Sequence, residues 1–397
     1  MFSHDLVDIW RERNPFDKNF TWSSNVTPGI HCRLDYFLIS RHASPAVTDN
    51  VFSPGFLSDH SFVCLSIGTQ EACRGPGFWK SNNSLLNDSK YICLIHELIC
   101  NQQKENASYD PVFRWELLKF NIRKTSMKFA KERAKEMRLK EKKLIQKIAD
   151  LEQQFYVNRS PVIHTQLREA QNDLLLYYEY KLKGTMIRSR ARWVEDGEKN
   201  SKYFFNLEKR NKALNSILKL EKSNGIFLTE RNGILEEIRN FYKTLYTSKG
   251  CNPESFFDGL PDQNIADIDL ESCEGELTLD ECYQALVSMK NDKAPGSDGL
   301  SVNFYKTFWN SIGQVVLESL NFGYQRGQLS TEQTRGIVTL ILKGNKAATS
   351  LQNYRPITLL NTDYKIAAKV IASRLKGVIH SLIGPHQTGF LKGFGIR

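Results

Sequence analysis

The sequence predicts an α+β protein built in several parts. Three observations carry this. Short apolar, β-rich runs such as "DYFLIS" and "FVCLSI" fill the chain up to about residue 68. A heptad pattern then runs through most of residues 112–212, where helix replaces strand. From about residue 213 the two types mix again.

The first part reads as strands separated by turns, with "FTWSSNVTPGIHCRLDYFLIS" as a strand, a loop and a further strand. Residues 69–111 connect it to the helical part: Gly75-Pro76-Gly77 is a turn signal, and a short helix is expected around "YICLIHELI". In the third part Met127, Ala130, Ala134, Met137, Leu144, Ile148, Leu151 and Phe155 follow a 3-4 spacing broken only by Glu141. Ser160 then suits an N-cap and Pro161 the first helical position. Ile163, Leu167, Ala170, Leu174 and Tyr177 continue the spacing on a second helix. An antiparallel hairpin, seam to seam, satisfies both patterns, with a first arm over about 112–157. Self-association through 112–190 is the alternative use of that seam. In the fourth part "ILKLEKSNGIFLTE" predicts a hairpin turning at Asn224-Gly225. Helices are expected at 229–247 and 278–290, a buried strand in "TRGIVTLILKG" and an amphipathic helix in "DYKIAAKVIASRLKGVIHSLI".

Bulk properties narrow the function classes. No run of eighteen apolar residues occurs, so a membrane span is not expected, and the N-terminus lacks the apolar core of a signal peptide. Eight cysteines, none in a C-x-x-C pair, argue against a zinc site and for a reducing, intracellular compartment, nuclear or cytoplasmic. The net charge is +10, and Lys119 to Lys147 holds twelve Lys or Arg against three acids, Glu132, Glu136 and Glu141. One segment therefore supplies almost the whole excess, which makes a polyanion the default partner. Lys124, Lys128, Lys131, Lys135, Arg138 and Lys142 recur at alternating fours and threes, so they share one flank of a helix that can track a phosphate backbone. A solvated helix face is the other reading of the same stripe.

Two further constellations carry chemistry. Asp35 in "CRLDYFLIS" and Asp59-His60 in "FLSDHSFVCLSI" place carboxylates and an imidazole at the ends of β-rich runs. Asp35 can hold one ring nitrogen of His60, leaving the other to take a proton from water, with Asp59 beside it as a weak metal ligand. An ordinary loop fits these residues as well. Nearer the C-terminus, "KAPGSDG" is a glycine-rich turn flanked by Lys290 and Lys293, and Lys343 and Arg355 bracket a polar loop between strands. Exposed N–H groups, a lysine and a bidentate arginine all suit phosphate; each stretch alone is also compatible with a plain loop.

The pair "RLDY" and "SDH" resembles the C-terminal end of the endonuclease/exonuclease/phosphatase family, in its apurinic-endonuclease-like branch. That likeness covers about residues 1–67 and implies part of an α/β sandwich, with Asp35 orienting His60 and Asp59 assisting metal and water. The family's upstream Asn, Glu and Asp-x-Asn have no counterpart in these residues. The ordered set K-A-P-G-x-D-G, N-Y-R-P-I-x-L-L-N-x-D-Y-K-I and H-Q-x-G-F resembles the N-terminal fingers of LINE-type non-LTR retrotransposon reverse transcriptases. "GPGFWKSNNSLLND" and "RWVEDGEKNSKYFFNLEKR" extend the likeness to nearly the whole chain. It implies a template grip at Lys293, Asp298 and Gly299, an incoming-nucleotide contact at Arg355 and Lys343, and Gln387 on the way to a palm. Gly344 and Phe394 depart from the family pattern, which usually has a second Lys and an Arg there.

Reverse transcriptases of this type hold two Mg²⁺ ions on palm carboxylates, but no Tyr or Phe followed by x-Asp-Asp occurs in these 397 residues. The expectation is therefore an endonuclease end (1–68), a connector (69–111), a basic helical linker (112–212) and fingers (213–397), truncated at both ends. RNA and DNA are its expected partners, and no productive Mg²⁺ site or polymerisation is expected. A residual metal-dependent nuclease, or a coiled-coil scaffold that binds RNA, is the alternative.

Overall fold

A computed structural model describes residues 5–24, 30–53, 60–68, 77–189, 217–222, 225–248, 250, 273–344 and 346–382. In chain order the elements are β1 (Leu6–Asp8), α1 (Ile9–Arg13), β2 (Trp22–Ser23), β3 (His31–Cys32), β4 (Leu38–Ser40), β5 (Val47–Ser53) and β6 (Phe62–Ile67). The helices α2 (Ser89–Glu105), α3 (Pro111–Val157) and α4 (Pro161–Ser189) follow. Then come β7 (Leu220–Glu221), β8 (Phe227–Leu228), α5 (Arg231–Tyr246), α6 (Leu279–Val287), α7 (Val302–Gln325) and α8 (Thr331–Thr334). The last three are β9 (Ile337–Leu342), β10 (Tyr354–Leu359) and α9 (Thr362–Leu382). Among the described residues the strands pair as antiparallel two-stranded sheets: β1–β4, β2–β3, β5–β6, β7–β8 and β9–β10. Mixed helix and small sheets agree with the α+β expectation.

The chain divides into two units, Met1–Gly75 with Glu132–Ser216, and Pro76–Lys131 with Ile217–Arg397. The cut falls inside α3 and so differs from boundaries drawn at 111 and 212. The reason is burial. Trp115, Leu118 and Ile122 of α3 join Leu85 and Tyr91, Ile95 and Ile99 of α2 in one core with α6, α7 and α9. A helix that gives its apolar face to a core belongs with it, whatever its surface charge.

In the first unit, three two-stranded sheets stand where the likeness implies part of a layered sandwich. Asp8 caps α1, accepting from the Arg11 amide at 3.3 Å, and pairs with Arg33. Ile9, Trp10 and Val47 are buried, and Trp10 meets Phe52 edge-on at 5.1 Å. Large apolar side chains remain exposed on these sheets, among them Val51, Phe62 and Ile67.

The helical hairpin forms on the expected seam. Ile148 and Leu151 of α3 pack with Ala170, Leu174 and Tyr177 of α4, flanked by Met137, Leu144, Ile163 and Leu167. The Ser160 hydroxyl accepts from the Val162 amide at 3.3 Å, and Pro161 opens α4. Met127 and Ala134, expected on the seam, are exposed instead. A straight α-helix drifts ~20° per heptad from a strict 3.5-residue repeat. Counted back three and two heptads from Ile148, both positions have rotated off the buried arc.

In the second unit β7 and β8 form the expected hairpin around Gly225, whose φ is +78°, though Asn224 lies outside the described residues. The strand expected to be buried, β9, is not: Val338 and Ile341 are 48% and 51% exposed. Among the described residues it pairs with β10, from Ile337↔Leu359 to Leu342↔Tyr354, and a two-stranded ribbon cannot cover both of its own faces.

Candidate nucleic-acid interface

The basic stripe lies on α3. Lys124, Lys128, Lys131, Lys135, Arg138 and Lys142 are all exposed. At ~100° per residue they fall within an arc of about 80°, and Glu132, Glu136 and Glu141 lie outside it. The opposite arc carries the buried Trp115, Leu118 and Ile122. Arg138 donates to the Ala134 carbonyl at 3.1 Å. Glu141, the break in the seam, is used across the hairpin: it accepts from the Tyr177 hydroxyl at 2.9 Å and pairs with Lys181 at 3.1 Å. Burial, then the Glu141 carboxylate, pushes the Tyr177 hydroxyl up to about 12.

The "KAPGSDG" stretch and the "NTDYK" stretch meet in the second unit. A Cβ added at Gly296 would lie 2.2 Å from Asn361 Oδ1 and 2.4 Å from its amide nitrogen, so only glycine admits this approach. Asn361 Oδ1 accepts from the Ser297 hydroxyl and the Asp298 amide, both at 3.2 Å, and its Nδ2 donates to the Glu332 carbonyl at 2.8 Å. The Thr362 hydroxyl donates to the Leu300 carbonyl at 3.1 Å. Gly299, at φ +77°, is buried against Trp79, and a Cβ there would lie 2.4 Å from the ring. Arg123 of α3 lies over Trp79, 5.7 Å from the ring centroid.

Beneath this contact is a buried ionic cluster. Asp363, fully buried, accepts from Trp115 Nε1 at 2.8 Å and from Lys119 Nζ at 3.0 Å. Lys119 also pairs with Glu116 at 2.9 Å. Burial alone would lower the Lys119 ammonium, but the Asp363 and Glu116 carboxylates outweigh it and hold it above its ordinary value. Asp298 Oδ1 accepts from the Leu300 amide at 3.0 Å, while Oδ2 is buried with no hydrogen-bond partner among the described residues. Burial, then the nearby Asp363 charge, raises the Asp298 carboxyl to about 7. One carboxylate oxygen of Asp298 is therefore turned inward on a half-buried residue, and Gly299 is buried. The members the sequence reading passed over are Trp115, Glu116, Lys119 and Asn361. The signal was there: Lys119 follows Trp115 by four and precedes Ile122 by three, on the apolar arc opposite the stripe.

Of the remaining expected residues, Lys293 and Arg355 are exposed, and among the described residues Arg355 has no side-chain hydrogen bond or ion pair. Lys343 donates to the Gln352 carbonyl at 2.7 Å, closing the end of the β9–β10 ribbon. Gln387 and Asp59 lie outside the described residues. In the first unit His60 Nδ1 and Asp35 Oδ2 are 2.7 Å apart, with both side chains roughly half exposed. The Thr21 hydroxyl accepts from the Leu34 and Asp35 amides at 2.9 Å each, which fixes the loop carrying the carboxylate. The hydrogen bond with His60 holds the Asp35 carboxyl below its ordinary value. The pair could orient an imidazole for proton transfer. Among the described residues no three His, Cys, Asp or Glu side chains group as metal ligands, and no helix is long and apolar enough to cross a membrane.

No protein-family model matches the chain. Over 394 residues, 98% of the chain, it is 28% identical to the transposon TX1 uncharacterized 149 kDa protein of Xenopus laevis. The chain spans 30% of the length of that relative. This likeness supports a transposon-related origin.

Proposed function

We propose that this chain is the nucleic-acid-binding middle of a LINE-type non-LTR retrotransposon protein, joining an endonuclease end to reverse-transcriptase fingers. The observation that carries it is the stripe of six exposed basic side chains on α3, with no acid in its arc. The transposon relative and the ordered motifs from Lys293 to Phe390 support the origin. Under this reading Lys293 and Arg355 add phosphate contacts, Lys343 stiffens the ribbon that carries Arg355, and Gln387 follows them toward a palm. Asp298 and Gly299 act by holding the template-side loop in shape. Mg²⁺ serves the parent family's two active sites. The share of these 397 residues is binding, because no Tyr or Phe followed by x-Asp-Asp is among them to activate a primer hydroxyl. His60 and Asp35 keep the orienting half of a nuclease site.

The test is binding of RNA and DNA oligonucleotides by fluorescence anisotropy across a salt series. For a single strand, each neutralised phosphate adds about 0.7 to the slope of log affinity against log salt. Replacing Lys128, Lys135 and Lys142 by Gln is expected to lower that slope by about 2. A slope that does not move removes the stripe from the interface. Primer extension with the same protein and Mg²⁺ is expected to give no templated product; any such product overturns the assignment of binding alone.

A further inference from the structure

The first half of α3 carries a feature that charge alone leaves unused. Phe113 and Phe120 are 48% and 62% exposed, and Tyr109, just before the helix, is 50% exposed. At ~100° per residue both phenylalanines fall within about 40° of Lys124, on the lysine arc. They are not spill-over from the core, since the helix buries Trp115, Leu118 and Ile122 on its opposite side. Tyr109 and Phe113 meet edge-on with centroids 5.1 Å apart, and Asp110 fixes Phe113 by accepting from its amide at 3.0 Å. Phe120 follows seven residues on, about 10 Å along the axis. Lys124, Lys128 and Lys131 continue the same line, and all six residues belong to the second unit.

Lysines attract any phosphate backbone, duplex or single strand. Exposed rings add affinity only where a base offers an open π-face, and in a duplex those faces are taken up by stacking. We infer that Tyr109, Phe113 and Phe120 with Lys124, Lys128 and Lys131 form a track for single-stranded nucleic acid, with bases on the rings and phosphates along the lysines. The inference rests on the proposed nucleic-acid reading and sharpens it to a strand state. From Phe113 to Lys131 the track is about 27 Å long, enough for a short site of about four nucleotides.

The test compares a 20-nucleotide oligothymidylate with a 20-base-pair duplex, using the full 397-residue chain. The double variant Phe113→Ala with Phe120→Ala is expected to bind the single strand about tenfold more weakly while its duplex affinity and salt slope stay unchanged. Because both rings are largely exposed, circular dichroism of the variant should match the parent. A Phe120→Trp variant should keep single-strand affinity and show indole quenching on binding that the duplex does not produce. Equal losses on both probes, or no loss on the single strand, overturn the track while leaving the basic stripe standing. Absence of binding to either probe by the parent chain overturns both. Sedimentation showing a dimer that the double variant abolishes, with single-strand affinity intact, assigns the rings to self-association and overturns the track as well.

Discussion

Lys119 and Lys124 stand five residues apart on one helix and do opposite things. Lys124 faces solvent in a basic stripe; Lys119 is 5% exposed and held between Asp363 and Glu116. Removing one partner of a buried ion pair leaves a charge without compensation, so Lys119→Met is expected to cost about 3–5 kcal/mol in urea unfolding. Lys124→Met, on the surface, should fall within about 0.5 kcal/mol. Asp298 gives a prediction in pH. Burial, then Asp363, lifts its carboxyl from 3.8 to about 7, so the folded chain keeps a proton that the unfolded chain releases. Stability from this group is therefore complete at low pH and declines as pH rises from about 4 to about 7, then levels. Asp298→Asn removes that slope. Denaturation of both proteins at pH 5 and pH 8 should show the wild type losing ground to the variant at the higher pH. A difference that stays constant, or moves the other way, removes Asp298 from the cluster's titration.

Among elements, α3 was the most legible and the most misleading. Its length, its start near residue 112 and its seam against α4 follow from local repeats, because a heptad pattern needs no knowledge of distant chain. Drift of a straight helix, which no residue type announces, took Met127 and Ala134 off the seam. Glu141 read as an interruption because its partners, Tyr177 and Lys181, are supplied by the returning helix. β9 read as buried from its run of Ile, Val and Leu. Composition of this kind marks a strand but not its neighbours, and only the pairing shows that β10 is its strand partner among the described residues. The glycines of "KAPGSDG" suggested a phosphate cradle. At Gly296 and Gly299 the space that a side chain would fill is taken by Asn361 and Trp79, so the glycines serve close packing.

For the whole molecule, the connector and the beginning of the basic helix share one core with the C-terminal segment. Leu85, Tyr91, Ile95, Ile99, Trp115, Leu118 and Ile122 are all buried there at 3% exposure or less. A fragment beginning at residue 213 would leave α6, α7 and α9 without those partners. It is expected to lack a cooperative thermal transition and to bind a hydrophobic dye, whereas a chain covering 76–397 should melt cooperatively. A cooperative, dye-negative 213–397 fragment would show that the core does not need the upstream helices.

The residues by themselves determined the helix-rich middle, its basic stripe, the hairpin seam and the resemblance to retrotransposon proteins, because periodicity, charge and short motifs are written along the chain. The pairing of His60 with Asp35 was also readable, from two short stretches at strand ends. Tertiary structure alone decided that Lys119 is a core residue, that Asp298 turns its carboxyl inward, and that residues 76–131 fold with the C-terminal segment. Those outcomes depend on which groups lose water together, and desolvation is a property of neighbours brought from hundreds of residues away.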